Sequence, residues 1–160
     1  MKRACLTTMV LAAMIAAVLP AHAQSKDPLV GTWTLNAAKS RYTPGPTPKS
    51  ITSIYEAAGK GYKVTVKNDT GSGTVQYSYT TYLDGQDSKV TGNNPNADTV
   101  GVKRIDARTH EVISKKGGRV TITQRSVVSA DGKTRTVTTT GTDGLGQKVN
   151  NVAVFEKKDT

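Results

Sequence analysis

The sequence predicts an all-β chain folded as a single antiparallel up-and-down barrel of about 8–10 strands, with the first and last strands pairing and no lid helices. Three observations carry that expectation. Apolar and polar residues alternate with period two, most plainly where Tyr62, Val64 and Val66 alternate with Lys63, Thr65 and Lys67. Turn signals recur at short spacing, as at Gly59-Lys60-Gly61, Asp84-Gly85, Gly117-Gly118 and Asp131-Gly132. A long meander of hairpins would expose two strand edges, and closure into a barrel removes them.

Taken in order, residues 1–23 read as a cleaved export signal that is not part of the fold. Lys2 and Arg3 form a basic start, Leu6 to Leu19 is mostly apolar, and Ala21-His22-Ala23 is a small-x-small cleavage site. The apolar run falls short of the roughly 20 residues a membrane span needs, so an uncleaved anchor is the weaker alternative. A periplasmic or secreted location follows, with no transmembrane segment in the mature chain. Residues 24–160 then make one domain, large enough for a single core. Cys5 is the only cysteine. Its loss with the signal leaves no disulfide, thiol nucleophile or thiolate metal site.

Leu29 to Asn36 opens the domain with Gly31-Thr32-Trp33, and Trp33 and Leu35 share one face of this first strand. Prolines at 44, 46 and 48 exclude helix and central strand from Ala37 to Ser50, which reads as an extended excursion across one end. Strands follow at Ser50 to Ala58, Tyr62 to Asp69 and Thr74 to Leu83, the last placing Val75, Tyr77, Tyr79 and Leu83 on one face. Asp84-Gly85 is expected to turn a hairpin into a short strand around Ser88 to Thr91. Gly92 to Ala97 is a loop. Asp98 to Asp106 and Glu111 to Lys115 pair through a turn at Ala107 to His110. Arg119 to Ser129, Lys133 to Thr142 and Gln147 to Lys157 complete the meander, and the last of these is expected beside Leu29 to Asn36.

The formal net charge is +10, of which Lys2 and Arg3 carry two units. An exported chain meets little nucleic acid, so no nucleic-acid partner is expected. The cations solvate outward strand faces, and anionic envelope surfaces are the possible macromolecular neighbours. A monomer is expected.

Three stretches, GTWTLNAAKS (31–40), LDGQDSKVTGNNPNADTVGVKRID (83–106) and VVSADGKTRTVTTTGTDGLGQKVNNVAVFEKK (127–158), resemble the calycin-type barrels, the lipocalins and fatty-acid-binding proteins. The chain is most similar to small exported bacterial proteins described as lipocalin-like. The resemblance implies a barrel. It does not imply fatty-acid binding, because the fatty-acid binders carry a helical lid where this chain has a proline-rich loop. Their last strand also carries an Arg-x-Tyr carboxylate anchor, where this chain has Ala153 and Phe155.

The candidate ligand-contacting residues are Trp33, Tyr77, Tyr79, Arg125 and Phe155. Trp33 is read first as a plug of the closed end, the role the resemblance implies, and second as cavity wall. Tyr77 and Tyr79 offer apolar area with polar tips. Arg125 could anchor an anion if its strand face points inward, although Val120 and Ile122 lie on the opposite parity; Arg104 and Arg135 are weaker versions of the same idea. His110, the one histidine beyond the signal, falls at the expected hairpin. With no second histidine or cysteine to help, neither a metal nor a haem is expected. No Gly-x-Ser-x-Gly elbow, phosphate loop or calcium-ligand spacing is present, so no enzyme and no cofactor are expected. The expectation is an exported, non-catalytic barrel that binds a small hydrophobic or amphipathic molecule. The alternative is an envelope protein whose barrel is filled and whose basic surface meets anionic components.

Overall fold

The computed structural model describes residues 27–159; the expected export segment lies outside them. Eleven antiparallel strands form one nearly closed barrel, and the described residues contain no helix beyond a single 3-10 turn. The strands are β1 (Gly31–Leu35), β2 (Ser50–Ala58), β3 (Gly61–Asp69), β4 (Thr74–Thr81), β5 (Asp84–Lys89), β6 (Thr91–Gly92), β7 (Thr99–Arg104), β8 (Thr109–Lys116), β9 (Arg119–Val128), β10 (Thr134–Thr142) and β11 (Lys148–Lys157). No helix among these residues is long and apolar enough to cross a membrane.

The first and last strands are neighbours, as expected. β11 pairs with β10 from Thr134↔Glu156 to Thr142↔Lys148, and its other edge takes β1, with Trp33 opposite Lys157 and Leu35 opposite Phe155. β1 is too short to cover the whole of β11. Asn36 therefore caps a 3-10 turn at Ala37–Lys39, its side chain accepting from the Lys39 N–H, and the chain returns alongside β11. There Arg41 exchanges backbone hydrogen bonds with Val152, and Thr43 O accepts from Asn150 N. The proline-rich excursion thus starts as a strap along the end of β11, because that strand's free N–H and C=O groups need partners.

Closure on the far side differs from the hairpin expected at Asp84-Gly85. The chain turns one step earlier, at Tyr82-Leu83, where Leu83 takes a left-handed φ of 61°. Asp84 and Gly85 lie inside β5, at an irregularity in its pairing with β7. β4 and β5 do not pair directly. Instead β5 pairs with β7, the chain bends at buried Val90, and β6 pairs with β4. One bent strand therefore bridges the two edges of the sheet. The turn between β7 and β8 also falls earlier than Ala107 to His110, because the Asp106 carboxylate accepts from the N–H groups of Arg108 and Thr109. That places His110 inside β8.

The meander alternates its turns between two ends. Leu29 and Trp33 close one end with Val128, Val137, Ala153 and Phe155. Trp33 is fully buried, and its indole N–H donates to Leu29 O at 2.9 Å, so the ring brings no unpaired donor into the core. Beside it, Asp27 binds Arg104 Nη2 at 2.6 Å and the Tyr62 hydroxyl, joining the leading segment to β3 and β7. The other core group, including Tyr62, Val64, Tyr79, Val100 and Val102, fills the β3–β4–β7 side. Each fully buried aliphatic or phenyl side chain contributes about 1.5–3 kcal/mol.

Gly31 holds φ at +132°, and Gly141, at φ +137°, sits where a Cβ would lie 2.1 Å from Thr121 O of β9. Gly141→Ala is expected to destabilise the protein by about 2 kcal/mol or more, since strain and a backbone clash combine. Urea unfolding of both proteins measures this. Deleting residues 152–160 removes the pairing partner of β1 and should abolish the cooperative thermal transition. A sharp melt in the truncated protein would rule out the closure.

Candidate functional site

The alternation that builds each strand also decides what the barrel encloses. In β9, buried Ile122, Ser126 and Val128 fix one parity as interior. A one-residue slip would expose all of them, so the parity is strongly specified. Arg125, on the other parity, is exposed on the outer surface opposite Glu111 of β8, and it is removed from the set of cavity candidates. The same rule turns Arg135 inward, because it shares parity with buried Val137 and Thr139 on β10.

Inside the barrel, open toward the proline-rich end, is a cavity of about 320 Å³. Tyr77, Tyr79 and Phe155 line it together with Tyr55, Asn68 and Ser126. Trp33 does not line it and sits below as the plug. Burial pushes the Tyr77 phenol up to about 12 and Tyr79 well above its ordinary value, so both present neutral hydroxyls. Tyr42, from the strap, reaches the mouth, where burial likewise pushes it up to about 12. Asn96 and Asp143 also line the cavity, and Asn96 Oδ1 accepts from Gly144 N at 2.8 Å.

Arg135 dominates the electrostatics. It is only 3 % exposed, yet no carboxylate among the described residues lies within ion-pair distance of it. Its guanidinium packs over Phe155, Tyr55 and Trp33, with ring centroids 4.5, 5.0 and 5.5 Å away. Nη1 donates to the Tyr55 hydroxyl at 2.7 Å, and Nε has no partner. Each cation–π contact supplies about 0.5–2 kcal/mol, whereas burying a lone cation costs several. The aromatic cage therefore holds the charge without neutralising it. Arg104 is different in kind: its partners are Asp27 and Tyr62, and it ties down the closed end. Burial pushes the Asp27 carboxyl up, but hydrogen bonds from Tyr62, Leu29 N–H and Arg104 outweigh this and hold it below the usual range.

A second, much smaller cavity of about 10 Å³ lies deeper, with His110 in its wall. His110 is 1 % exposed and both ring nitrogens lack partners. It is a wall residue and not the exposed hairpin residue the sequence suggested, because the turn ends before it. Burial first, then the charge of Arg104, lowers its pKa below 6.5; Asp27 and Asp106 oppose this and Arg135 adds to it. Among the described residues no group of three or more His, Cys, Asp or Glu side chains could hold a metal ion. The interior thus combines aromatic walls, one caged cation and a few unpaired neutral polar atoms, a set suited to binding.

Since the folded protein holds His110 neutral more strongly than the unfolded chain does, the unfolded state takes up a proton first as pH falls. Its stability should be constant above about pH 7 with respect to this group and decline through and below pH 6.5. His110→Leu should remove that part of the decline, read as a smaller difference in urea-unfolding free energy between pH 7.5 and 5.5 than the unsubstituted protein shows. Equal differences would mean that His110 is not buried neutral.

No protein-family model matches the chain, and no curated protein is significantly similar to it. What is established is the architecture: an antiparallel, nearly closed β-barrel, compatible with a calycin-like fold.

Proposed function

We propose that this protein is an exported, lipocalin-like barrel that binds a small amphipathic anion without transforming it. The observation that carries this reading is Arg135, a buried guanidinium in the cavity wall whose Nε has no partner and which has no carboxylate beside it. An anionic head group would complete its hydrogen bonding with Nε and share the Tyr55 hydroxyl, and such charge-assisted bonds are the strong ones. Tyr77, Tyr79 and Phe155 would flank the apolar remainder. At about 320 Å³ the cavity is at the small end of the roughly 300–1,000 Å³ typical of ligand sites, which favours a compact or medium-chain ligand. That volume also argues against the alternative of a filled barrel acting only through its basic exterior.

The resemblance to fatty-acid binders bears on this in an unexpected way. Ala153 and Phe155 leave β11 without their arginine, but Arg135 on β10 is the direct cross-strand neighbour of Phe155. A cation is supplied to the same part of the interior from the adjacent strand.

Decanoate and decanol, titrated calorimetrically into the protein and its Arg135→Leu variant, test the proposal. Decanoate affinity should fall about tenfold to a hundredfold in the variant, as expected for bonds to a charged group, while decanol affinity changes less than about threefold. The variant should melt no lower than the parent, because an apolar side chain replaces an uncompensated charge. Decanoate binding that ignores the substitution would refute Arg135 as the anchor.

A further inference from the structure

Below the main cavity, the structure leaves three neutral hydrogen-bonding atoms buried without partners: Nδ1 and Nε2 of His110 and Oγ of Ser126. The two side chains are direct cross-strand neighbours, His110 on β8 opposite Ser126 on β9, and both are more than nine-tenths buried. Such atoms are rare inside proteins, since each one lost from water without compensation is destabilising. Both residues line the small inner cavity of about 10 Å³. That chamber and the large cavity have Tyr55, Tyr79, Val112 and Ser126 in common in their walls.

We infer that His110 and Ser126 form a hydroxyl-reading subsite beneath the anion anchor, so that the preferred ligand is a hydroxy acid with an apolar tail. This rests on the anion-binding reading of the main cavity. Three features select a hydroxyl. The chamber has room for about one water-sized group, which is the size of a single hydroxyl oxygen. Its wall is mostly apolar, and the unpaired polar groups behind it are neutral and mixed: an uncharged imidazole has one donor and one acceptor, and the serine has both. A hydroxyl, itself donor and acceptor, matches that set, whereas a carboxylate can only accept and is drawn to Arg135. Position supplies the third. Arg135 lies opposite Val128, and Ser126 is two residues from Val128 on the same inward parity of β9. Arg135 and Ser126 are thus diagonal cross-strand neighbours, a spacing of roughly 7–8 Å that long side chains and small ligands can bridge.

A ligand with only methylene groups at that point would leave His110 and Ser126 unpaired in the complex, and a site built around hydrogen bonds discriminates against such analogues. Thr81 also lines the chamber, but its hydroxyl already accepts from Leu83 N at 3.2 Å, so it adds less.

The test is calorimetric titration of the full mature protein at pH 7.5 with decanoate, 2-hydroxydecanoate and 3-hydroxydecanoate. One of the hydroxy acids should bind about tenfold or more tightly than decanoate. Ser126→Ala and His110→Phe should each reduce that preference to less than about threefold. Ser126→Ala keeps the test decisive should His110→Phe fail to fold. Equal binding of all three acids by the parent, or a preference that survives Ser126→Ala, would overturn the subsite and leave the anion anchor standing. Binding of none of the acids would overturn both.

Discussion

The ladder that seats β11 between β10 and β1 is the constraint on which the rest of this barrel depends. Without β1 on its far edge the sheet stays open, the Trp33 plug has no wall to pack against, and the closed end loses Leu29 and its indole hydrogen bond. The ladder also fixes register. Because side chains alternate with period two, pinning Leu35 opposite Phe155 and Val137 opposite Ala153 commits every residue of these strands to the interior or the exterior. Arg135 is buried for that reason, between two well-paired strands that cannot slip to release it.

A buried cation without a counter-ion is an expensive feature in a small domain. The aromatic faces of Phe155, Tyr55 and Trp33 offset part of the loss of solvation, and the Tyr55 hydroxyl satisfies one donor. Replacing such a charge with an apolar side chain is commonly neutral or stabilising, so packing alone gives no reason for an arginine here. The contrast with Arg104 sharpens this. At the closed end, where the barrel needs only to hold together, the arginine is given Asp27 and Tyr62. In the cavity wall, Arg135 has no carboxylate and its Nε is left unpaired.

The unpaired atoms of Arg135, Ser126 and His110 follow the same division. Ser126 stands in the wall common to both cavities, Arg135 lines the larger and His110 the smaller, while the Trp33 indole and Asp27 are satisfied. A polar group fixed in place during folding is pre-organised, since that ordering is not lost again on binding.

Much of this was legible in the chain. Alternation, turn dipeptides and the edge problem predicted a single up-and-down barrel with paired termini, and they placed Tyr77, Tyr79 and Phe155 among the residues to watch. Each of those is a local property, written into runs of a few residues. Arg125 and Arg135 show where local reading stops. Both stand in alternating threonine- and valine-rich strands, and only the parity of Ile122 and of Val137 separates them, a signal too short-ranged to choose the inward face. Likewise Asp84-Gly85 has hairpin chemistry, but the closing strand needed it inside β5, and the Asp106 turn moved His110 from a loop into the wall. Short-range patterning in the chain set the strands, the turns and the tendency to close. Tertiary structure decided which cation is buried, where the barrel's last seam lies and which polar atoms go unpaired, because burial and pairing depend on neighbours distant in the chain that only the closed sheet brings together.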